Sequence, residues 1–396
     1  MQYLEERAKK GMSPGARILA FIARIGLAIL IPLIAFFILY QGFLFLRAGD
    51  APKWLITVIA IIWGVGGVAV LFWVFNWLVE MLPEEWTARL QPFVFVGPAV
   101  AILVWYLALP SVRTFWISLF GRNGAPDLPL SLLFSSPSEF FTLFRAEFVG
   151  FGNYVAVFSD RLMREAFRNN ILFWMLIATP LTVVFGLLVA ILADRSKFER
   201  VAKSLVFMPM AISFVGAGVI WNFMYEVKPL GEAQIGLFNA IVTGLGFNPQ
   251  PWTALTSIAP FNNIFLVIIV VWLQAGYAMV LFSAALKGIP EEIIEASRVD
   301  GASEVQIFFR IMIPQIQGTI ITVTTTIIIF TLKIFDVVWV MTGGQFGTDV
   351  IATQFYRQSF IARNAGFGSA IAIVLLVAVI PVMIYNLRQF GQQEAF

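Results

Sequence analysis

The chain has 396 residues, 60% of them hydrophobic and 12% charged, with a formal net charge of +3. That composition belongs to the membrane class, and no basic cluster is dense enough to track nucleic-acid phosphates. Histidine and cysteine are both absent, which excludes His/Cys zinc sites, disulfides, thiol nucleophiles and Ser-His-Asp triads.

In chain order, a tail of residues 1–17 carries Arg7, Lys9, Lys10 and Arg17. The apolar run 18–46 that follows is too long for a signal-peptide core and ends in a poor cleavage site. It reads as an uncleaved first span, with Arg24 snorkelling to the surface. At roughly 20 apolar residues per span, the sequence predicts about eight spans. They cover 18–46, 54–79, 92–119, 169–193, 202–226, 261–286, 316–340 and 367–387. Each backbone must satisfy its own hydrogen bonds in lipid, so these are helices and the fold class is all-α transmembrane. Trp54, Trp77, Trp116, Trp221 and Tyr385 fall near span ends, where interfacial aromatics belong. Pro32, Pro98, Pro180, Pro209 and Pro381 interrupt spans and predict kinks. Gly64, Gly66, Gly67, Gly216 and Gly218 predict close helix contacts.

Two turn-rich stretches, 121–168 and 227–260, keep enough apolar residues to form packed caps outside the membrane. Arg195, Lys197, Arg200 and Lys203 crowd a short loop, and with eight spans Lys287, Arg298 and Arg310 fall on the same side. The positive-inside rule makes that side, with both termini, cytoplasmic. Arg161, Arg164 and Arg168 lie opposite, in a longer loop where the rule weakens, and the loop at 80–91 is acidic.

The charged stretch 288–315 lies between two long apolar runs and is too polar for lipid, so it belongs at a membrane surface and in contact with another protein. Ile289-Pro290 opens a short helix, with proline at a first-turn position. Glu291 and Glu292 suit the positive end of its dipole. Asp300-Gly301 ends it near Val299, with glycine supplying a left-handed turn. Ser303 and Gln306 spell a capping box for the next piece, which runs through Arg310 to Pro314. Ile294 offers an apolar anchor, Ala296 and Ser297 allow close approach, and Glu295 offers a carboxylate to a cation in a partner's groove. An ordinary amphipathic surface helix is the alternative.

Glu295-Ala296-Ser297, then Gly301, then Ile311-Met312-Ile313-Pro314 resembles the "EAA" signature of ABC importer permeases. Further matches are Phe148–Tyr154, Asn169-Asn170, Phe207-Met208-Pro209, Gly236–Asn239 and Phe335–Gly344, so the resemblance covers roughly 90–390. It implies a type I importer permease core (MetI/MalF-like) at 91–390. Before it stand two extra N-terminal helices at 18–90, and after it a tail at 391–396. The two extra spans look like the MalF-type subunit. The resemblance further implies a MalG-like second permease, a MalK-like ATPase dimer, an extracytoplasmic solute-binding protein and a sugar substrate. The chain itself would be no enzyme. No Gly-Lys dipeptide, and so no phosphate-binding loop, occurs in it; ATP and Mg would be bound by the partner ATPase, and no cofactor or metal by this chain. The coupling set implied is Glu291, Ile294, Glu295, Ala296, Ser297, Arg298, Asp300, Gly301 and Pro314. Gln345-Phe346-Gly347 stands where the family usually has Gly-Pro-Gly. With Leu332–Asp336 it looks like the α-glucoside permeases, whose solutes include maltose, trehalose or sucrose. The 121–168 loop is much shorter than the matching domain of the enterobacterial maltose subunit.

Lys333 and Asp336 stand three apart within the seventh run, hence neighbours if the helix is continuous. They either line or gate a path, or neutralise each other and pin the span. Carry-over from the maltose subunit adds Leu273, Gln274, Tyr277, Phe330 and Thr331 to the solute path, and aromatic faces beside amides suit a sugar. Asn222 and Glu226 end the fifth span and either contribute or are solvated at the interface. Rival readings are a secondary transporter, an intramembrane enzyme, and a permease for another solute such as a glycerol-phosphate. The first would show internal repeats, the second paired catalytic groups, and the third more intramembrane cations than Lys333.

Overall fold

The computed structural model describes residues 30, 34–35, 37–38, 40–49, 52–80, 84–126 and 135–393. Among them the chain is helical almost throughout; a lone bridge joins Phe120 to Phe148 and no strand forms. Among the described residues, five helices are long and apolar enough to cross a membrane: Lys53–Glu80, Thr87–Ser118, Arg161–Asp194, Asn263–Lys287 and Ala365–Arg388. Two helix pairs meet the same measure but are bent, Glu199–Ala211 with Phe214–Met224 by 104° and Glu304–Gln315 with Gln317–Leu332 by 69°. Counting each pair as one gives up to seven spans. Most of the expected first span, with Arg24 and Pro32, and the cations of the first tail lie outside the described residues.

Residues up to Pro110 form one compact unit and those from Ser111 a second. In the first, Lys53–Glu80 is apolar all round and presents that surface outward, as a helix in lipid does. Gly64 and Gly66 meet no atom within 4 Å, so the close contact expected of them is absent among the described residues.

The second unit is built on the Asn263–Lys287 helix, the most buried of the spans. Real close approaches include three glycines set against a neighbouring helix. A Cβ on Gly186 would lie 2.4 Å from Ala278 Cβ, one on Gly276 would lie 2.7 Å from the Val206 carbonyl, and one on Gly218 would lie 2.8 Å from Val340. Only Gly218 was expected. Small residues let helices approach to backbone distance, which is how spans associate where lipid removes the hydrophobic drive. Phe173, Trp174, Leu266, Leu273 and Val337 form part of one buried cluster. Met279, Phe282, Ile316 and Ile327 belong to a second, nearer the 288–315 insert.

Two expected spans are not single helices. Run 202–226 breaks at a tight turn over Met208–Ala211, around Pro209, and restarts behind Ser213, whose Oγ accepts from Gly216 N at 3.0 Å. Trp221 consequently sits in the core, 7% exposed, against Phe238 and Trp272 rather than at an interface. Run 316–340 stops at Leu332 and restarts as Asp336–Thr342. Such a break orphans carbonyls. Asn170, 1% exposed, satisfies them: its Nδ2 donates to the Thr331 and Leu332 carbonyls at 3.3 Å each, and its Oδ1 accepts from Ile351 N at 2.9 Å. Of the prolines, Pro209 and Pro314 mark true breaks, Pro180 follows a π-helical stretch over Asn170–Ala178, and Pro98 and Pro381 sit inside unbroken helices.

At the end of the second unit remote from the insert, residues 227–260 fold around Asn239, which donates to the carbonyls of Glu226 and Gln250. That is a packed cap, as its composition predicts. Within 121–168, helices Pro137–Glu147 and Gly152–Ser159 precede the long span. Loop 343–350 turns through positive φ at Gly343, Gly344, Phe346 and Gly347. Asn169, Asn262 and Asn263, all buried, donate to its carbonyls at Phe346, Gly347 and Asp349.

Candidate coupling site and solute path

The insert folds by local rules. Lys287 closes the long helix, and Pro290 is the N-cap of the Glu291–Val299 helix, with φ −56° and ψ 131°, rather than a first-turn residue. Glu291 and Glu292 occupy the first turn and Arg298 the last, each on the favourable end of the dipole. Gly301 has φ +82°, and no atom lies within 4 Å of where its Cβ would stand. Ser303 and Gln306 form the full capping box: Ser303 N donates to Gln306 Oε1 at 2.8 Å and Gln306 N to Ser303 Oγ at 3.3 Å.

The outward face differs from the expected one. Ile294 is half-buried and packs inward on the cluster of Met279 and Phe282, so it is no free anchor. Glu291, Glu295, Ala296, Arg298, Asp300, Gly301 and Pro314 are exposed, and Ser297 is half-buried with its hydroxyl donating to the Ile293 carbonyl. Glu295 makes no ion pair among the described residues. The apolar groups turned furthest outward are Val299, Val305 and Phe309, at 87%, 66% and 64% exposure. Helical spacing holds the clue, because Val299 shares a face with Glu295 and not with Ile294. Arg298 Nε donates to Glu304 Oε1 at 2.8 Å, which holds the guanidinium still more firmly protonated, and Glu304 also lies 3.5 Å from Arg195.

The residues expected along the solute path scatter in character. Leu273 and Thr331 are buried, 2% and 0% exposed, and offer no surface in this conformation. Gln274 and Tyr277 are half-buried on the central helix. Phe330, also half-buried, stacks on Phe214 with ring centroids 4.8 Å apart. Lys333 is exposed just beyond a helix end and Asp336 opens the next helix. The break between them removes the shared helical face, and among the described residues no ion pair joins them. The mutual-neutralisation reading therefore fails. Asn222 is exposed, 3.4 Å from the Val340 carbonyl, and Glu226 pairs with Lys228 at 2.7 Å. Sequence reasoning missed Asn262, Asn263 and the paired roles of Asn169 and Asn170. The available signal was amides next to turn-rich segments in a chain with few polar side chains.

The family model described as "Binding-protein-dependent transport system inner membrane component" matches residues 149–389, more than half of the chain. The chain belongs to that family. It is therefore an inner-membrane transport component, a permease rather than a catalytic enzyme, and the expected fold class holds. The osmoprotective compounds uptake permease protein GgtC of Synechocystis sp. is 47% identical over 76% of this chain and 99% of its own length. The alpha-glucoside transport system permease protein AglF of Rhizobium meliloti is 45% identical over 77% of this chain and 84% of its own. A chain of the bacterial alginate ABC transporter, solved in complex with alginate pentasaccharide-bound periplasmic protein, superposes with a TM-score of 0.59. It covers 76% of this permease and 94% of that chain at 16% identity, so that likeness concerns the fold.

Proposed function

We propose that this permease is the MalF-type subunit of an ATP-driven, binding-protein-dependent importer of an oligosaccharide of the α-glucoside class. The observation that carries the transport reading is the 288–315 insert: a capped, exposed helix with a free carboxylate at Glu295, rooted directly in the most buried span. It suits a groove on a separate MalK-like ATPase dimer that binds ATP and Mg. Glu291, Glu295, Ala296, Arg298 and Asp300 face that groove, with Val299 as apolar contact, while Ile294, Ser297, Gly301 and Pro314 shape the insert from within. A MalG-like permease and an extracytoplasmic binding protein complete the assembly. The cations Arg195, Lys197, Arg200 and Lys203 support a cytoplasmic position for this end and for the tails 1–17 and 391–396. In this reading 91–390 form the core, 121–168 an outer loop, and 18–90 the additional N-terminal segment of a MalF-type subunit.

The relative named for alpha-glucoside transport supports the substrate class, and the one named for osmoprotective compounds supports a second reading, a small compatible solute. Gln274, Tyr277, Lys333 and Asp336 are the polar groups nearest a path, with Phe330 as an aromatic face. Leu273 and Thr331 support that wall from behind. Copurification followed by uptake in proteoliposomes tests this reading. Labelled trehalose, sucrose and maltose should enter only with ATP, the ATPase and the binding protein. Glu295→Ala should lower uptake by weakening a contact of about 2–5 kcal/mol. Transport without any ATPase, or a preference for glycerol-phosphate, would remove the proposal. A preference for glycine betaine would favour the second reading.

A further inference from the structure

The turn after Asp194 reaches the root of the coupling insert and, through Glu304, the start of the insert's second helix. Asp194 is the last residue of its helix, where a carboxylate opposes the dipole. Its placement there must answer to something outside the helix. That something is a ring of charges. Lys203 Nζ lies 2.5 Å from Asp194 Oδ1 and 2.7 Å from Glu199 Oε1. Lys287 Nζ contacts Glu199 Oε1 and lies 3.7 Å from Asp194 Oδ1. Ser283, 4% exposed, donates its hydroxyl to Asp194 Oδ1 at 2.8 Å and accepts from Lys203. Two cations alternate with two carboxylates, so the ring is neutral. Its inner members Asp194 and Lys203 are only 15% and 21% exposed.

The ring joins the end of Arg161–Asp194, the start of Glu199–Ala211 and the end of Asn263–Lys287. Lys287 is also the residue from which the insert springs, through Gly288, Ile289 and Pro290. On the insert's other side, Arg195 meets Glu304, which accepts from Arg298. A lone surface ion pair holds little. A ring in which each charge has more than one partner, seated on a buried hydroxyl, holds geometry better because its bonds reinforce one another. The outer chain Arg195–Glu304–Arg298 is more than half exposed at every member and is screened by salt.

We propose that Asp194, Glu199, Lys203 and Lys287 are positioning residues that carry displacement of the coupling insert into three spans at once. This deepens the reading of 288–315 as a coupling element and rests on it. Without the ring, only the apolar packing of Ile289 and Ile294 ties the Gly288–Pro290 stem to the spans, and the insert moves more independently of them.

The test uses the whole transporter in proteoliposomes, with uptake of radiolabelled trehalose and ATP hydrolysis measured on the same preparation. Lys203→Met and Lys287→Met should lower solute carried per ATP roughly tenfold, with the ATPase still bound and basal hydrolysis retained. Lys203→Arg should restore most of the ratio, and Arg195→Ala should leave it unchanged. If Lys203→Met fails to assemble, the more exposed Lys287→Met decides. An unchanged ratio in the lysine variants overturns the proposal. So does a parallel fall of uptake and hydrolysis that merely follows the amount of assembled complex. Glu295→Ala in the same series separates the two ideas: if it uncouples while the lysine variants do not, only the ring is refuted, and if it too is silent, the coupling reading falls with it.

Discussion

Single residues in this permease carry consequences that their neighbourhoods predict. Gly301 has open space around it and a positive φ, so a side chain there strains only the backbone. Gly301→Val should cost the insert about 1–2 kcal/mol, the left-handed penalty, while Gly301→Asn is tolerated better. The amount of ATPase retained on copurification checks this, and thermal unfolding of the spans should not shift. Asp349 is the opposite case. Burial pushes its carboxyl above the usual carboxylate range, against the pull of Thr353, Arg357 and Gln354. Arg357 Nη1 donates to it at 3.0 Å and Nη2 to the Gly343 carbonyl at 2.8 Å. Arg357→Gln should therefore destabilise the protein by about 3–5 kcal/mol at neutral pH. The sign with pH follows from the raised pKa. A carboxyl that is costly to ionise favours the fold below its ordinary pKa and loses that benefit as pH rises through the raised one. In the variant the loss should shrink toward acid, where protonated Asp349 no longer needs the guanidinium. Thermal unfolding across a pH series in detergent measures it.

At the scale of elements, close packing rather than glycine content decides cost. Gly186→Ala should force Thr179–Asp194 and Asn263–Lys287 apart and cost about 1–3 kcal/mol, whereas Gly64→Ala should be near neutral. Melting temperatures of the two variants in one detergent distinguish them. The same contrast explains what the sequence could tell. Gly301, Ser303 and Gln306 obey rules that act within a few residues, and their turn and capping box were legible. The apolar runs behind the long spans were legible for the same reason, since apolar length is a local property, although five unbroken helices and two bent pairs stand among the described residues where about eight spans were expected. The interruption at Lys333–Phe335 was not, because the amide that satisfies the freed carbonyls belongs to Asn170, far away in sequence. Ile294 was assigned outward because a short amphipathic helix does not say which side its own chain covers. Trp221 was assigned to an interface for want of the bend that folds it inward.

Across the whole molecule, polar groups concentrate at two levels of the second unit and the apolar surface lies between. Near the insert the polar groups are charges, held in alternation around Asp194. At the remote end three neutral amides, Asn169, Asn262 and Asn263, donate to carbonyls of loop 343–350, beside the Asp349–Arg357 ion pair. Amides hold loops without the desolvation cost that an ion pair carries. One such span-to-span bond also lies between these levels, where Asn386 Nδ2 donates to Thr325 Oγ1 at 2.6 Å.

The turn from Asp194 to Glu199 has a consequence for how relatives of this chain can diverge. Its two ends are pinned, one to the root of the insert and the other to the next span, so its length is set by the gap it crosses. An inserted or deleted residue there would throw every charge out of register at once. The turn around Gly231 is closed only on itself, by the Gln234 side chain on the Lys228 backbone, and open space lies beside the glycine. Natural length variation should therefore gather between Pro229 and Gln234 and be missing between Asp194 and Glu199.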